Sequence, residues 1–65
     1  MCLAKAVFEP ADTAEEELFC ENVARVEVDG ERITVYDLIG RPYETSGTVK
    51  EITFVGESKI IIAKP

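Results

Sequence analysis

The sequence predicts an all-β domain, a small five-stranded antiparallel barrel of SH3-like size. Four glycines recur at short intervals, at positions 30, 40, 47 and 56, and the runs between them are rich in Val, Ile, Thr, Tyr and Phe. These runs also alternate apolar with polar residues, as strands with one buried face do. Short strands with turn residues at this spacing are typical of a small barrel or sandwich. We expect a single domain over residues 1–65.

The first strand and a short helical turn are predicted before residue 20. The strand is expected over Leu3 to Phe8, an apolar run that Pro10 ends. The segment Ala14 to Phe19 contains residues that tolerate a helix. It is too short to form a stable helix by itself, so it allows one helical turn at most.

A tight hairpin is predicted at Asp29-Gly30, which joins the runs RVEV and RITVY. Two-residue turns of this type favour β-hairpins. Alternation in the first arm places three apolar side chains on one face: Ala24, Val26 and Val28. The opposite face of that arm is expected to carry Val23, Arg25 and Glu27.

Two further strands are predicted, over Val49 to Phe54 and Lys59 to Ala63. The second contains three consecutive isoleucines, which indicates a strand covered on both faces. The core is expected to come from the apolar faces of the strands: Val26, Val28, Ile33, Val35, Ile52, Phe54, Ile60 and Ile62. A domain this small is marginally stable, because apolar burial barely exceeds the cost of ordering the chain. Because a partner chain would help to stabilise so small a domain, we expect a homodimer.

The negative charge is concentrated in one segment. Seven basic and thirteen acidic residues give a net charge of −6, and six of the acids lie between Glu9 and Glu21 with no base among them. The remainder of the chain is balanced. Because the segment lacks the glycine that a calcium loop needs for its sharp turn, we interpret it as a solvated acidic loop.

The chain is not expected to be an enzyme. It contains no histidine, so no side chain titrates near neutrality without perturbation, and no Ser-His or Cys-His pair can form. The glycines are isolated and form no phosphate-binding loop. A barrel this small, filled by its own side chains, also leaves little room for a pocket.

A membrane location is not expected either. No uncharged stretch approaches the ~20 apolar residues of a spanning helix. The first ten residues carry charges at Lys5 and Glu9, so they do not resemble a signal peptide. We therefore expect a cytoplasmic protein with reduced cysteines.

A nucleic-acid interface is an alternative function. One strand face is predicted to carry Arg32, Thr34 and Tyr36, and Arg41 and Tyr43 follow the next turn. Basic and aromatic side chains on small barrels bind single strands. The net charge of −6 opposes this, because it repels the phosphate backbone. The same side chains can instead cover a sheet face or a subunit contact, as in a protein-interaction module.

The two cysteines are expected to differ. Cys20 follows Leu18 and Phe19 and is interpreted as a small buried apolar residue. Cys2 contributes little to packing at the end of the sequence. Its thiolate and amide nitrogen, however, can close one chelate ring around a metal ion, and the same amide nitrogen and the Met1 amine can close a second. Nitrogen and thiolate donors suit nickel(II) or copper(II). Zinc would need four ligands, which one chain does not supply. A packing role for Cys2 remains the plainer alternative.

Four stretches of the sequence resemble the CooT-like family of very small proteins. They are the opening MCLAKA, the run ENVARVEVDG, the IGR turn and the late GTVKEITF. The opening is the most specific of them. The members of this family are known as nickel-binding accessory proteins of carbon monoxide dehydrogenase maturation, and the family also carries an older label of predicted RNA-binding protein.

The resemblance implies an SH3-like barrel, a homodimer and nickel bound at the dimer interface. The ligand in the family is the cysteine that follows the initiator methionine, which corresponds to Cys2 here, with Met1 or backbone nitrogens as further donors. The implied partner is a nickel enzyme, such as carbon monoxide dehydrogenase, or its maturation factors. Cys20 matches no ligand of the family and receives no role from the resemblance.

Overall fold

A computed structural model describes residues 3–10 and 15–65, and these residues form six β-strands and no helix. The strands, in chain order, are β1 (Ala4–Phe8), β2 (Glu17–Asp29), β3 (Arg32–Asp37), β4 (Pro42–Ser46), β5 (Thr48–Thr53) and β6 (Lys59–Ala63). The prediction of an all-β chain is confirmed for this part of the sequence. The helical turn predicted over Ala14 to Phe19 is wrong from Glu15 onward, since Glu15 and Glu16 are not helical and β2 begins at Glu17.

The strands form one mixed sheet in the order β4-β3-β2-β1-β6-β5. Four neighbouring pairs are antiparallel, but β1 and β6 run parallel, with Lys5 opposite Lys59 and Phe8 opposite Ile62. The predicted barrel of five antiparallel strands is therefore not what forms. A sixth strand is present, one pairing is parallel, and the sheet is left open with β4 and β5 as its edges.

The two edges of the open sheet meet at Gly47, the single residue between β4 and β5. A flat sheet of six strands would separate its edges by about 24 Å at ~4.8 Å per pair. Two residues of chain span only about 7 Å. The sheet must therefore curl strongly, although its edges are not paired. The amide of Gly47 donates a hydrogen bond to the carbonyl oxygen of Glu31, at 2.8 Å.

Irregularities in β2 change which of its side chains face the core. The pairing with β1 shifts between Val23 and Cys20, where Asn22 has a φ of +56°. The pairing with β3 shifts again between Val23 and Arg25. These shifts are typical of β-bulges, which add a residue and reverse the alternation. As a result Val23 is buried and Ala24 is exposed, which is the opposite of the predicted arrangement.

The hairpin between β2 and β3 forms where the sequence predicts it. Its two turn residues are Gly30 and Glu31, because Asp29 already pairs with Arg32. Gly30 has a φ of +62°, the conformation that favours glycine at the first position of such turns.

The core is apolar and lies on the inner face of the curled sheet. Its buried members are Ala6, Val7, Phe8, Cys20, Val23, Ile33, Val35, Ile60 and Ile62. The predicted core positions in β3 and β6 are confirmed, and Val26 is partly buried against the core. Val28, Ile52 and Phe54 are exposed, so these three predictions are wrong. Val28 lies beside the hairpin turn, Ile52 lies on an edge strand and Phe54 follows that strand, so no further strand covers them.

Candidate functional site

The predicted metal ligands, Met1 and Cys2, lie outside the residues that the structure describes. Within residues 3–10 and 15–65, no three side chains of His, Cys, Asp or Glu are grouped as a metal site requires. The nickel site therefore stays a prediction from the sequence.

Cys20 is a core residue. It is buried among the apolar side chains of β1, β3 and β6, and its Sγ lies 3.4 Å from the carbonyl oxygen of Glu21. Burial raises the pKa of the thiol, and the negative charges of Asp37 and Glu21 raise it further. A thiol with a raised pKa stays protonated at neutral pH and is a poor metal ligand. The prediction that Cys20 is a small buried residue is confirmed.

The chain that follows Cys2 is held on both sides. Leu3 is half-buried, and Ala4 pairs with Val23 of β2. On the other side, the amide of Lys5 donates to the carbonyl oxygen of Ser58 at 3.1 Å. The Lys5 ammonium lies 2.7 Å from the carboxylate of Glu57, which raises the pKa of Lys5 and lowers the pKa of Glu57. These contacts hold the start of β1 against both neighbouring segments.

The acidic segment is tied to β6 and to the residue that follows it by two ion pairs. Glu16 accepts hydrogen bonds from Lys59 at 3.0 Å, and Glu17 lies 3.2 Å from Lys64. The Lys64 ammonium also lies 4.5 Å from the centre of the Phe8 ring. The predicted loop over Glu9 to Glu21 is therefore wrong from Glu17 onward, where β2 begins; residues 11–14 lie outside the described part.

The strand face proposed for nucleic acid does not offer Tyr36 as a free stacking surface. The Tyr36 hydroxyl donates to Glu27 at 2.9 Å, and this hydrogen bond raises the pKa of Tyr36. The Arg25 guanidinium lies 5.1 Å from the centre of the Tyr36 ring and is itself paired with Glu27. The ring is thus covered by a cation that already has a carboxylate partner.

Three other members of the predicted interface, Tyr43, Arg32 and Thr34, are engaged or surrounded by acids. Tyr43 is half-buried and packs edge-on against Phe19, with 6.4 Å between the ring centres. Its hydroxyl donates a hydrogen bond to Asp37 at 3.2 Å. Arg32 and Thr34 line a depression together with three carboxylates: Glu27, Asp29 and Glu44. Because such a surface repels phosphate, these contacts do not favour the nucleic-acid alternative.

Asp37 organises the turn between β3 and β4. Its Oδ1 accepts hydrogen bonds from the amides of Arg41 at 3.0 Å and Ile39 at 3.1 Å, and its Oδ2 accepts the Tyr43 hydroxyl. The backbone hydrogen bond from Arg41 is the main reason that the pKa of Asp37 is lowered, and the other two donors add to it. The turn held in this way exposes two apolar side chains, Leu38 and Ile39.

An apolar patch surrounds the start of β1. We define it as Leu3, Ala4, Ala24, Val26, Leu38, Ile52 and Phe54, which line two adjoining depressions on the surface. Leu38, Ile52 and Phe54 are more than half exposed. The sequence analysis missed this patch. The signal that could have revealed it is the pair of apolar residues at each of two turns, Leu38-Ile39 and Phe54-Val55, where polar residues are usual.

Comparisons with known proteins give one family match and one structural match. The family model described as CO dehydrogenase accessory protein CooT matches residues 1–63. The structure is also similar to the crystal structure of a protein assigned as CooT from Carboxydothermus hydrogenoformans, with a TM-score of 0.80 and 22% identity over 98% of each chain. At that identity the structural likeness concerns the fold. No curated protein sequence gives a significant match. Within residues 3–10 and 15–65, the structure contains no helix that could cross a membrane.

Proposed function

The chain belongs to the CooT family of CO dehydrogenase accessory proteins, and from this premise we propose that it binds nickel(II) for the maturation of a nickel enzyme such as carbon monoxide dehydrogenase. The observation that carries the proposal is the extent of the family match, which begins at residue 1 and so includes Met1 and Cys2. Nickel is the cargo of the protein in this proposal. The protein holds and transfers the ion and is not itself a catalyst.

The donor set of the chain supports Cys2 as the ligand. Nickel(II) prefers thiolate and imidazole donors to carboxylates. The sequence contains two thiols and no imidazole, so the thiols are its preferred donors. The thiol of Cys20 is buried with a raised pKa, so its environment disfavours the thiolate that would bind a metal. Cys2 is thus the better candidate of the two. Met1 is the proposed companion donor, through its nitrogen.

We further propose that two chains share the nickel ion in a homodimer. One chain has few suitable donors, and a second copy would double the supply of Cys2 thiolates and nitrogens. The size of the domain supports the same conclusion, since a 65-residue chain buries only about 60% of its extended surface. The proposed location is the cytoplasm, where the thiols stay reduced.

Nickel titration of three proteins tests the proposal: the native chain, Cys2→Ser and Cys20→Ala. The native chain and Cys20→Ala are expected to bind nickel with thiolate-to-nickel charge-transfer absorption, and Cys2→Ser is expected to lose both. Cys20→Ala is the matched control because it removes the other thiol without placing a hydroxyl in the core. Binding should weaken as the pH falls, since protons compete for the thiolate. Equal nickel uptake by Cys2→Ser would show that the assignment is wrong.

The proposed client is tested separately with nickel-free carbon monoxide dehydrogenase. Nickel-loaded native protein is expected to restore dehydrogenase activity faster than the same concentration of free nickel. The Cys2→Ser protein, incubated with the same nickel, is expected to give no gain over free nickel. If native protein also gives no gain, the chain binds nickel without delivering it to this enzyme.

A further inference from the structure

We propose that strands β5 and β6 separate from the rest of the sheet as one unit, and that three ion pairs form a salt-sensitive latch that keeps this unit attached. We call residues 48–65, which contain both strands, the C-terminal hairpin. Its separation breaks the pairing of β6 with β1 and leaves one edge of β1 unpaired. The inference does not depend on nickel binding.

The backbone attaches the C-terminal hairpin to the sheet along one seam, between β6 and β1. In the described part of the chain, this pairing is the only parallel one and the only one between strands that are not consecutive in sequence. It extends over four residue pairs, from Lys5 opposite Lys59 to Phe8 opposite Ile62. Parallel pairing is slightly less stable per residue than antiparallel pairing. The other covalent link is Gly47, because β4 and β5 are not paired. The hairpin therefore has one weak seam and a one-residue hinge.

The ion pairs of the protein are concentrated at this seam. Among residues 3–10 and 15–65, three of the four ion pairs join the C-terminal hairpin to β1 or to the acidic segment. They are Lys5 with Glu57 at 2.7 Å, Lys59 with Glu16 at 3.0 Å and Lys64 with Glu17 at 3.2 Å. The fourth, between Arg25 and Glu27, lies within β2. We call the three pairs at the seam the latch.

The net charges of the two parts are opposite. The C-terminal hairpin has three lysines and two glutamates, a net charge of +1, whereas residues 1–47 carry a net charge of −7. The side chains of the latch are between 23% and 65% exposed, so dissolved ions reach them. Screening is strong at high salt, since the Debye length falls from ~30 Å at 0.01 M to ~3 Å at 1 M. Salt therefore weakens the attraction that holds the hairpin.

Apolar burial keeps the attached state dominant. Ile60 and Ile62 of β6 are 6% and 0% exposed, and separation would expose both. The separated state is therefore a minor one. A two-stranded hairpin alone is only marginally stable in water, so the amides of β5 and β6 lose their protection when the hairpin separates. Local openings of this kind are detected by amide hydrogen exchange.

Hydrogen exchange of the nickel-free native chain, followed for each amide by NMR, tests the proposal. The slowest amides of β5 and β6 are expected to exchange about tenfold faster than those of β3, which has a paired strand on both sides. Raising NaCl from about 20 mM to about 500 mM is expected to speed exchange in β5 and β6 about threefold relative to β3. Equal exchange in β3 and β6, with an equal response to salt, would show that the sheet opens as one unit and would overturn the proposal.

Lys59→Gln and Lys64→Gln test the latch, with Lys50→Gln as the matched control. Lys50 lies in the same hairpin, is exposed and forms no ion pair with any residue that the structure describes, so all three variants remove the same charge. Each latch variant is expected to speed exchange in β5 and β6 about two- to fivefold, as the loss of a partly exposed ion pair does. Lys50→Gln is expected to leave it unchanged. The same acceleration in all three variants would contradict the latch.

A charge exchange distinguishes the ion pair from packing of the lysine stem. Lys59→Glu is expected to speed exchange in β5 and β6, and adding Glu16→Lys is expected to restore the native rate, because opposite charges face each other again. Lys64→Glu with Glu17→Lys repeats the test at a more exposed pair, which guards against a variant that fails to fold. Far-ultraviolet circular dichroism establishes that each variant is folded. If neither double variant is slower than its single lysine variant, the ion pairs do not hold the hairpin and the proposal is wrong.

Discussion

Replacing Gly47 with alanine tests whether the sheet curls back at this residue. Gly47 joins the two edge strands, and its φ of +151° lies in the region that favours glycine. An added Cβ would lie less than 3.0 Å from the carbonyl oxygen of Ala63 and 3.4 Å from Cγ2 of Ile62. Because the oxygen belongs to the backbone of β6, it cannot rotate away as a side chain could.

Two effects contribute to the expected loss of stability. The backbone strain of a residue other than glycine at such a φ costs about 1–3 kcal/mol. Moving β5 or β6 to relieve the contact costs about 1–3 kcal/mol more, as overpacking does. A domain of 65 residues has a free energy of unfolding of roughly 3–10 kcal/mol. A loss of about 3 kcal/mol would lower the melting temperature by about 12–24 °C.

Gly56→Ala is the matched control for this experiment. Gly56 also has a positive φ, +69°, but an added Cβ would meet no heavy atom within 4 Å. Its φ lies in the left-handed helical region, where the strain of an alanine is smaller than at +151°, and the steric contact is absent, so we expect a loss of about 1 kcal/mol. Urea denaturation followed by circular dichroism measures both variants. If the two lose the same free energy within about 0.5 kcal/mol, the close approach of Gly47 to β6 does not constrain the fold and the reasoning fails.

Two further predictions concern the core and the turn between β3 and β4. Ile33→Ala is expected to destabilise the protein by about 2–5 kcal/mol because Ile33 is fully buried, whereas Val28→Ala, at the exposed position opposite Ile33, is expected to cost less than about 1 kcal/mol. Equal urea midpoints for these two variants would contradict the assigned core. Asp37→Asn is expected to lower stability at neutral pH, because the lowered pKa of Asp37 means that its carboxylate stabilises the fold above the unfolded value of about 3.9. That contribution is lost as the pH falls through the folded pKa, so the melting temperatures of the native and Asp37→Asn proteins should converge in acid. A difference in melting temperature that stays constant from neutral pH to acid would refute this prediction.

The local parts of the fold could be predicted from the sequence. The Asp29-Gly30 pair predicts the hairpin because turn chemistry depends on adjacent residues. The alternation in β3 and β6 predicts the burial of Ile33, Val35, Ile60 and Ile62 for the same reason, since successive side chains of a strand point to opposite faces.

The edge strand β4 and the irregular strand β2 could not be predicted in this way. β4 is a five-residue segment, PYETS, with a proline at its first position and little apolar signal, as edge strands often have. In β2 the bulges reverse the alternation, so the pattern assigned Val23 and Ala24 to the wrong faces. Where a bulge falls is decided by pairing with two different neighbouring strands.

The candidate metal ligand could be predicted from the sequence, whereas the apolar patch could not. Chelate geometry and the family resemblance predict Cys2 as the ligand from adjacent residues of the sequence. The apolar patch combines Leu3, Leu38, Ile52 and Phe54, which are far apart in the chain and meet only in the folded sheet. Periodicity reports which face of a strand is apolar. Whether that face is covered depends on the strands that pair beside it and curl over it, and those long-range contacts belong to the tertiary structure.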